Sequence, residues 1–263
     1  MLTRRILKLP VLAQRAGFTL PRFFVPQPRI RGRTITIDDR QELHHIRDVL
    51  RLGVGDRVAC FDGKGREYEG VIARSAPKGV VVRVERVVER AEDAVQPWLA
   101  QGLLKADRFE WVVQKATELG IVRLSPLVTR HTVVRVSAEQ REQKRQRWQR
   151  IAQEAAKQCR RAVIPAIDAP EPMETVLQAM EGADLVLLPT LAVTAIPLSE
   201  MLKTSQQPKR VGVLIGPEGD FSKEEVALAQ RYGARPVSLG PRTLRSETAA
   251  VSTLAILSYV LGS

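Results

Sequence analysis

Two segments in the last quarter of the chain have the residue types of a ligand-binding site. One is Leu214-Ile215-Gly216-Pro217-Glu218-Gly219-Asp220-Phe221, and the other is Ser238-Leu239-Gly240-Pro241-Arg242-Thr243-Leu244-Arg245-Ser246-Glu247-Thr248. Each reads as a strand end, a Gly-Pro turn, polar residues and then a helix. Glycine lets backbone approach a ligand closely and reach dihedrals closed to other residues. Proline stiffens the turn and lowers the ordering cost of binding. Backbone N–H and C=O groups held this way can read the edge of an adenine. A single Gly-Pro turn is ordinarily a tight strand-to-helix connection and nothing more. Two turns of matching layout, with Arg242, Arg245 and Glu247 beside them, point to a site or an interface, because charges are costly to bury without partners.

Other chemistries find no support. No G-x-G-x-x-G opens a helix after a strand, and no G-x-x-x-x-G-K-[ST] is present, so neither a Rossmann dinucleotide site nor a P-loop is signalled. Gly53-Val54-Gly55 and Gly63-Lys64-Gly65 lack the third glycine. No serine elbow or Cys/His nucleophile pattern appears. Cys60 and Cys159 stand far apart, as expected of thiols in a reducing compartment. His44, His45 and His131 lack the i, i+4 spacing or nearby cysteines of a metal site, so no metal is expected.

The elements that must position these loops fall into two groups. Pro21 to Val88 reads as β-rich. Thr34-Ile35-Thr36-Ile37 alternates with period two, and Asp56 to Phe61 follows a Gly53-Val54-Gly55 turn. Asp62-Gly63-Lys64-Gly65 is a hairpin turn with Glu67 to Ile72 returning; Val80 to Val84 and Val87-Val88 complete the set. A short helix fits Asp39 to Leu50. Short strands with frequent turns imply a small barrel. Polar Glu89 to Pro97 is the expected boundary.

From Trp98 onward strands and helices alternate. Strands are expected over Trp98–Leu104, Ile121–Val128, Asp184–Leu188, Val211–Ile215 and Pro236–Leu239. Helices are expected over Asp107–Leu119, with Gly120 as its cap, and over Ser137–Arg161, Pro172–Met180, Ser222–Tyr232 and Thr248–Leu261. Ser222 and Glu225 form a capping box. This is an α/β domain with a mainly parallel sheet.

The chain has 263 residues and a net charge of +12, which concentrates polyanions near its surface. No apolar run is long enough to span a membrane, so RNA or DNA is the favoured polyanion. Basic residues crowd Ser137–Arg161 with few acids on the same stretch, leaving a solvated face and a phosphate-binding face both open. Met1 to Arg33 holds eight Lys or Arg before the first acid, Asp38. Such a stretch fits an RNA-touching extension of a bacterial cytoplasmic protein or an organelle transit peptide.

Five ordered motifs together carry a resemblance. His45-Ile46-Arg47-Asp48-Val49-Leu50-Arg51 is similar to a His-x-x-x-Val-Leu-Arg segment. Lys105, followed by Gln114-Lys115-Ala116-Thr117-Glu118-Leu119-Gly120, is similar to Lys…Gln-Lys-x-x-Glu-Leu-Gly. Glu154 to Arg161 with Pro165 is similar to Glu-Ala-x-x-Gln-x-x-Arg followed by Pro. The two loops are similar to Gly-Pro-Glu-Gly-Gly and Leu-Gly-x-Arg-x-Leu-Arg-x-Glu-Thr-Ala. On these, with Pro21-Arg22-Phe23-Phe24-Val25 as the usual start, the chain resembles the RsmE family of ribosomal RNA methyltransferases, within the SPOUT superfamily. One departure is visible: Asp220 stands where the family has a second glycine.

The resemblance implies a basic extension over residues 1–20, a PUA-like β-barrel for RNA over 21–90, and a trefoil-knotted SPOUT α/β domain over 96–263. It implies S-adenosylmethionine as cofactor, a homodimer, and N3-methylation of a uridine in the decoding region of 16S small-subunit rRNA. By carry-over, Leu188, Pro189, Gly216, Glu218, Gly219, Leu239, Gly240, Leu244 and Thr248 would surround the cofactor. Arg22, Arg47, Arg51, Lys105, Arg130 and Arg160 would meet RNA.

Uracil N3 carries a proton and is a poor nucleophile until it leaves. A cation near O2 or O4 would favour the anion, a role for Arg245 first and Arg242 second. Glu247 is the nearest carboxylate to accept the proton, although a charge at a helix N-terminus also has a plain dipolar role. Lys115 and Glu118 have the spacing of a structural i, i+3 pair. The rival readings are a non-enzymatic rRNA-binding assembly factor and a knotted methyltransferase acting on another RNA position.

Overall fold

The computed structural model describes residues 20–90, 93–132, 137–191, 195–205 and 207–262. The expected N-terminal extension lies outside these apart from Leu20. Two compact units are present. The first runs to Phe61 and resumes over Glu67–Val88; the second comprises Asp62–Arg66 and everything from Glu89.

The first unit is built on a six-stranded sheet. Its strands are β1 (Arg22–Phe24), β2 (Ile30–Arg31), β3 (Thr34–Ile37), β4 (Arg57–Phe61), β5 (Arg66–Ala76) and β6 (Gly79–Glu89). Their order is β1-β4-β5-β6-β3-β2, with β1 parallel to β4 and β3 antiparallel to β6. The alternation read in Thr34–Ile37 is the burial pattern: Ile35 and Ile37 enter a core with Phe23, Val58, Cys60, Val80 and Val82. Helix α1 (Arg40–His44) starts where the Asp39 carboxylate accepts from Gln41 N at 2.9 Å and Glu42 N at 3.0 Å, and it runs on into a π-helical turn, His45–Val49. The two short strands expected around Val80–Val88 are one continuous strand, β6.

The second unit carries an eight-stranded sheet. Its strands are β7 (Gln96–Gly102), β8 (Arg123–Val128), β9 (Ala166–Ile167), β10 (Glu171–Pro172), β11 (Leu185–Pro189), β12 (Ile196–Pro197), β13 (Arg210–Ile215) and β14 (Arg235–Ser238). The order is β10-β8-β7-β13-β11-β14-β12, with β9 against β8, and every described pairing is parallel. Its helices are α2 (Ala106–Glu118), α3 (Ala138–Cys159), α4 (Met173–Ala179), α5 (Leu198–Thr204), α6 (Lys223–Arg231) and α7 (Ser246–Leu261).

A parallel sheet must bury both faces, and alternate strand residues show how. Leu99, Leu187 and Val213 enter one core with Phe109, Val112, Val113, Trp148 and Leu254 from α2, α3 and α7. Ala100, Leu188 and Leu214 enter a second core with Val176, Leu177 and Ala229 from α4 and α6. The expected mainly parallel α/β domain is therefore present.

Three local readings change. Helix α7 begins at Ser246, two residues before the expected Thr248, because Arg245 at φ −66° and ψ 153° is its extended N-cap. Helix α5, unread in the sequence, is anchored by Leu198 and Leu202. The basic face of α3 is substantially paired, using acids from elsewhere in the chain: Arg141 meets Glu171 at 3.8 Å and Arg147 meets Glu110 at 2.7 Å. Arg145 bonds Glu142 within the helix at 2.6 Å.

Cys60 is fully buried on β4, and burial, with the nearby Glu42 carboxylate, pushes its thiol up to about 12. At pH 8 it stays a neutral thiol. Iodoacetamide should leave Cys60 unmodified in the folded protein and alkylate it only after urea unfolding, as read by peptide mass spectrometry; modification of Cys60 in the folded protein would contradict this packing.

Candidate active site

Strands β13, β11 and β14 are neighbours and all parallel, so the segments leaving their carboxyl ends emerge side by side. They are Pro189–Leu191, Gly216–Asp220 and Leu239–Arg245, and they enclose a cavity of about 400 Å³ closed on another side by the first turn of α7 and by Arg108 of α2. That volume lies within the range of small-molecule sites, roughly 300–1,000 Å³.

Of the residues singled out in the sequence, Pro189, Gly216, Glu218, Leu239, Gly240, Arg242, Leu244, Arg245 and Glu247 line this cavity. Three others do not. Leu188 is fully buried in the core beneath, because alternation along β11 sends it to the opposite face from the pocket. Thr248 is exposed outside the cavity wall. Gly219 is turned toward His131: a Cβ there would fall 2.9 Å from His131 Cβ. Arg108, Thr190 and Leu191 line the wall without having been read from the sequence, and Thr243 and Ser246 line it from within the second glycine–proline segment.

The loop after β13 is held from both sides. Outside, His131 Nδ1–H donates to the carbonyls of Gly219 and Asp220 at 2.9 and 3.0 Å. Asp220 adopts φ +57°, a left-handed conformation that aspartate tolerates better than most residues and that explains a glycine at this place in the resembling family. Its Oδ1 accepts from the Phe221 amide at 2.8 Å. Inside, the end of β7 presses on the loop. A Cβ on Gly102 would lie 2.4 Å from Pro217 N, and the fully buried Gln101 side chain donates to Ser246 Oγ at 2.8 Å.

Charges around the cavity are mixed. Arg108, Arg242 and Arg245 face Glu218, Asp220 and Glu247, with Arg108 and Glu218 3.8 Å apart. Glu247 sits in the first turn of α7, where the helix dipole favours a negative charge, and its Oε2 is buried without a hydrogen-bond partner.

The residues expected to meet RNA divide. Arg22 is a correction: its side chain is 6% exposed, paired with Glu67 at 3.3 Å and stacked 3.8 Å over the Phe61 ring, so it packs the sheet rather than facing a phosphate. Arg47 is half-buried, and its guanidinium donates to the backbone carbonyls of Ala76, Pro77 and Gly79, which holds the β5–β6 turn. Arg51 is exposed on the first unit. Lys105, Arg130 and Arg160 are exposed on the second, with Arg130 paired to Glu224 at 3.2 Å. Lys115 and Glu118 form the expected pair at 2.9 Å. Among the described residues there is no cluster of His, Cys, Asp and Glu that would hold a metal, and no helix long and apolar enough to cross a membrane.

The fold and this site define a class. Residues 91–258 match the family model of an RNA methyltransferase domain, and residues 37–85 match that of an RNA methyltransferase PUA domain, so the first unit is PUA-like. A ribosomal RNA small subunit methyltransferase E from Synechocystis is 34% identical over all of this chain and 86% of its own length. The Bacillus subtilis protein of that name is 32% identical over 83% of this chain and 88% of its own. A Legionella pneumophila protein described as a methyltransferase, solved with bound cofactor SAM, superposes with a TM-score of 0.82 at 32% identity, covering 92% of this chain and 98% of that one. The chain belongs to the ribosomal RNA small subunit methyltransferase E family.

The close approach of β7 to the β13 loop is directly testable. Gly102→Ala should cost about 1–3 kcal/mol of stability through overpacking against backbone, whereas Gly53→Ala, with open space around its Cβ, should change it by less than about 0.5 kcal/mol. Chemical denaturation measures both, and equal effects would mean that the two segments do not meet as described.

Proposed function

We propose that this protein transfers a methyl group from S-adenosylmethionine to N3 of a uridine in 16S small-subunit rRNA, acting in the cytoplasm as a homodimer. The observation that carries the reading is the cavity enclosed by the loops after β11, β13 and β14, in a chain that is 32% identical to a protein solved with SAM. The trefoil crossing implied by the sequence resemblance belongs to this reading, as does the division into an RNA-reading domain over 21–90 and a transfer domain over 96–263.

The residues fit such a cofactor. Leu239, Leu244 and Ile215 offer apolar walls to an adenine, and loop backbone supplies donors and acceptors for its edge. Glu218 and Asp220 are carboxylates for an ammonium group, and Arg108 is a guanidinium for a carboxylate. When bound, the cofactor supplies a methyl group already activated by a sulfonium charge.

The protein's own task is then to orient the uracil and remove the N3 proton. Arg245, with Arg242 as the second candidate, stabilises negative charge on a uracil oxygen. Glu247, which lines the cavity, accepts the N3 proton and later returns it to solvent. Exposed Arg51, Lys105, Arg130 and Arg160 contribute phosphate contacts that bring the RNA to the site.

The homodimer is supported by uncovered apolar side chains on α2 and α7, which pack together: Trp111 is 42%, Tyr259 83% and Val260 48% exposed. Sedimentation of the purified chain should give twice the monomer mass.

Nucleoside analysis of 16S rRNA from a deletion strain should lack N3-methyluridine and regain it on complementation. Arg245→Ala should lower kcat about 100- to 1,000-fold while calorimetry shows S-adenosylmethionine binding within about 3-fold of wild type. Unaltered N3-methyluridine in the deletion strain, or a wild-type protein that binds RNA but not S-adenosylmethionine, would favour the assembly-factor reading instead.

A further inference from the structure

Gln101 is polar and fully buried at the carboxyl end of β7, within a run whose neighbours Leu99, Ala100, Leu103 and Leu104 are core residues. A buried amide in such a place is costly unless its hydrogen bonds are satisfied. Its Nε2 has three acceptors within reach: Ser246 Oγ at 2.8 Å, Gly102 O at 3.1 Å and Gly216 O at 3.5 Å. The two carbonyls fix the amide orientation, since only the nitrogen can face them. Ser246 Oγ passes the connection on by donating to Gly216 O at 2.5 Å. Gln101 Oε1 remains buried without a partner, so the hydrogen bonding of this side chain is made by its nitrogen.

The elements joined here are strand β7, which lies outside the cavity lining, and two of the cavity's walls. Gly216 opens the β13 loop, whose Glu218 and Asp220 face the cavity. Ser246 opens α7 between Arg245 and Glu247, the two groups placed at the substrate. We infer that Gln101 is a positioning residue: through Ser246 and the Gly216 carbonyl it sets the cofactor loop and the Arg245–Glu247 turn in one fixed relation. It touches neither reactant. A leucine or methionine would serve the core equally well at this position but would leave the two walls free to shift independently. Transfer in line needs sub-ångström alignment, and a displacement near 1 Å costs about 100-fold in rate.

This inference rests on the proposed methyl transfer for its kinetic consequences but not for its structural ones. The test compares wild type, Gln101→Met, Ser246→Ala and the double variant. In the unliganded proteins, amide hydrogen exchange should rise together at Glu218–Phe221 and at Ser246–Thr248 in both single variants, with little further rise in the double. For methylation, each single variant should lose about 100-fold in kcat, and the double should be no more than about 2-fold worse than the weaker single, because both remove one linkage. Exchange confined to the site of each substitution, or losses that multiply to about 10,000-fold in the double, would overturn the linkage. If wild type neither binds S-adenosylmethionine nor methylates, the proposed function fails, while the exchange pattern still decides the positioning role.

Discussion

The cavity depends on one close contact, that of the β7 end with the β13 loop. Pro217 N lies where any side chain on Gly102 would have to be, 2.4 Å from its Cβ position, and Gly216 in turn leaves no room for one beside Asp220. The close approach that an absent side chain permits lets the Gln101 amide reach across to Gly216 and Ser246. Without it, the loop would sit further out, and the turn at the start of α7 would lose its tie to the sheet.

From this contact the arrangement of charge follows. The sheet, buried on both faces by separate cores, provides a rigid base. Loops leaving the carboxyl ends of adjacent parallel strands converge above it, and α7 arrives with its N-terminus at the same place. Guanidinium and carboxylate groups are thus gathered around an otherwise apolar hollow. His131 completes the frame from outside, holding the carbonyls of Gly219 and Asp220. A site built this way meets a requirement of methyl transfer to a weak nucleophile: its dipoles are in place before the reactants arrive.

Much of this is legible in the residues. Gly216-Pro217 and Gly240-Pro241 announce their turns because few residue types make those turns, and most of the helices follow from apolar spacing and caps such as Ser222 with Glu225. What stays hidden depends on direction and on distant partners. Arg22 and Arg47 look like phosphate ligands by type, yet one packs on Phe61 and the other holds a turn, and nothing local says which way an arginine points. The excess charge of α3 has few partners within its own stretch of sequence, because Glu110 and Glu171 lie on other elements. Gln101 and Gly102 read as an ordinary strand end; the one signal was a glutamine inside an apolar run, which calls for a buried partner. Leu188 and Thr248 were adjacent in sequence to cavity residues but on the wrong side of a strand and a helix.

The hollow between Pro189–Leu191, Gly216–Asp220 and Leu239–Arg245 is the proposed seat of the methyl donor. A crystal structure of the protein soaked with S-adenosylhomocysteine tests it most directly. The adenine should lie against Leu239 and Leu244, with the sulfur facing Arg245 and Glu247. Density for the ligand elsewhere on the molecule, with this hollow left to solvent at saturating ligand, would contradict it.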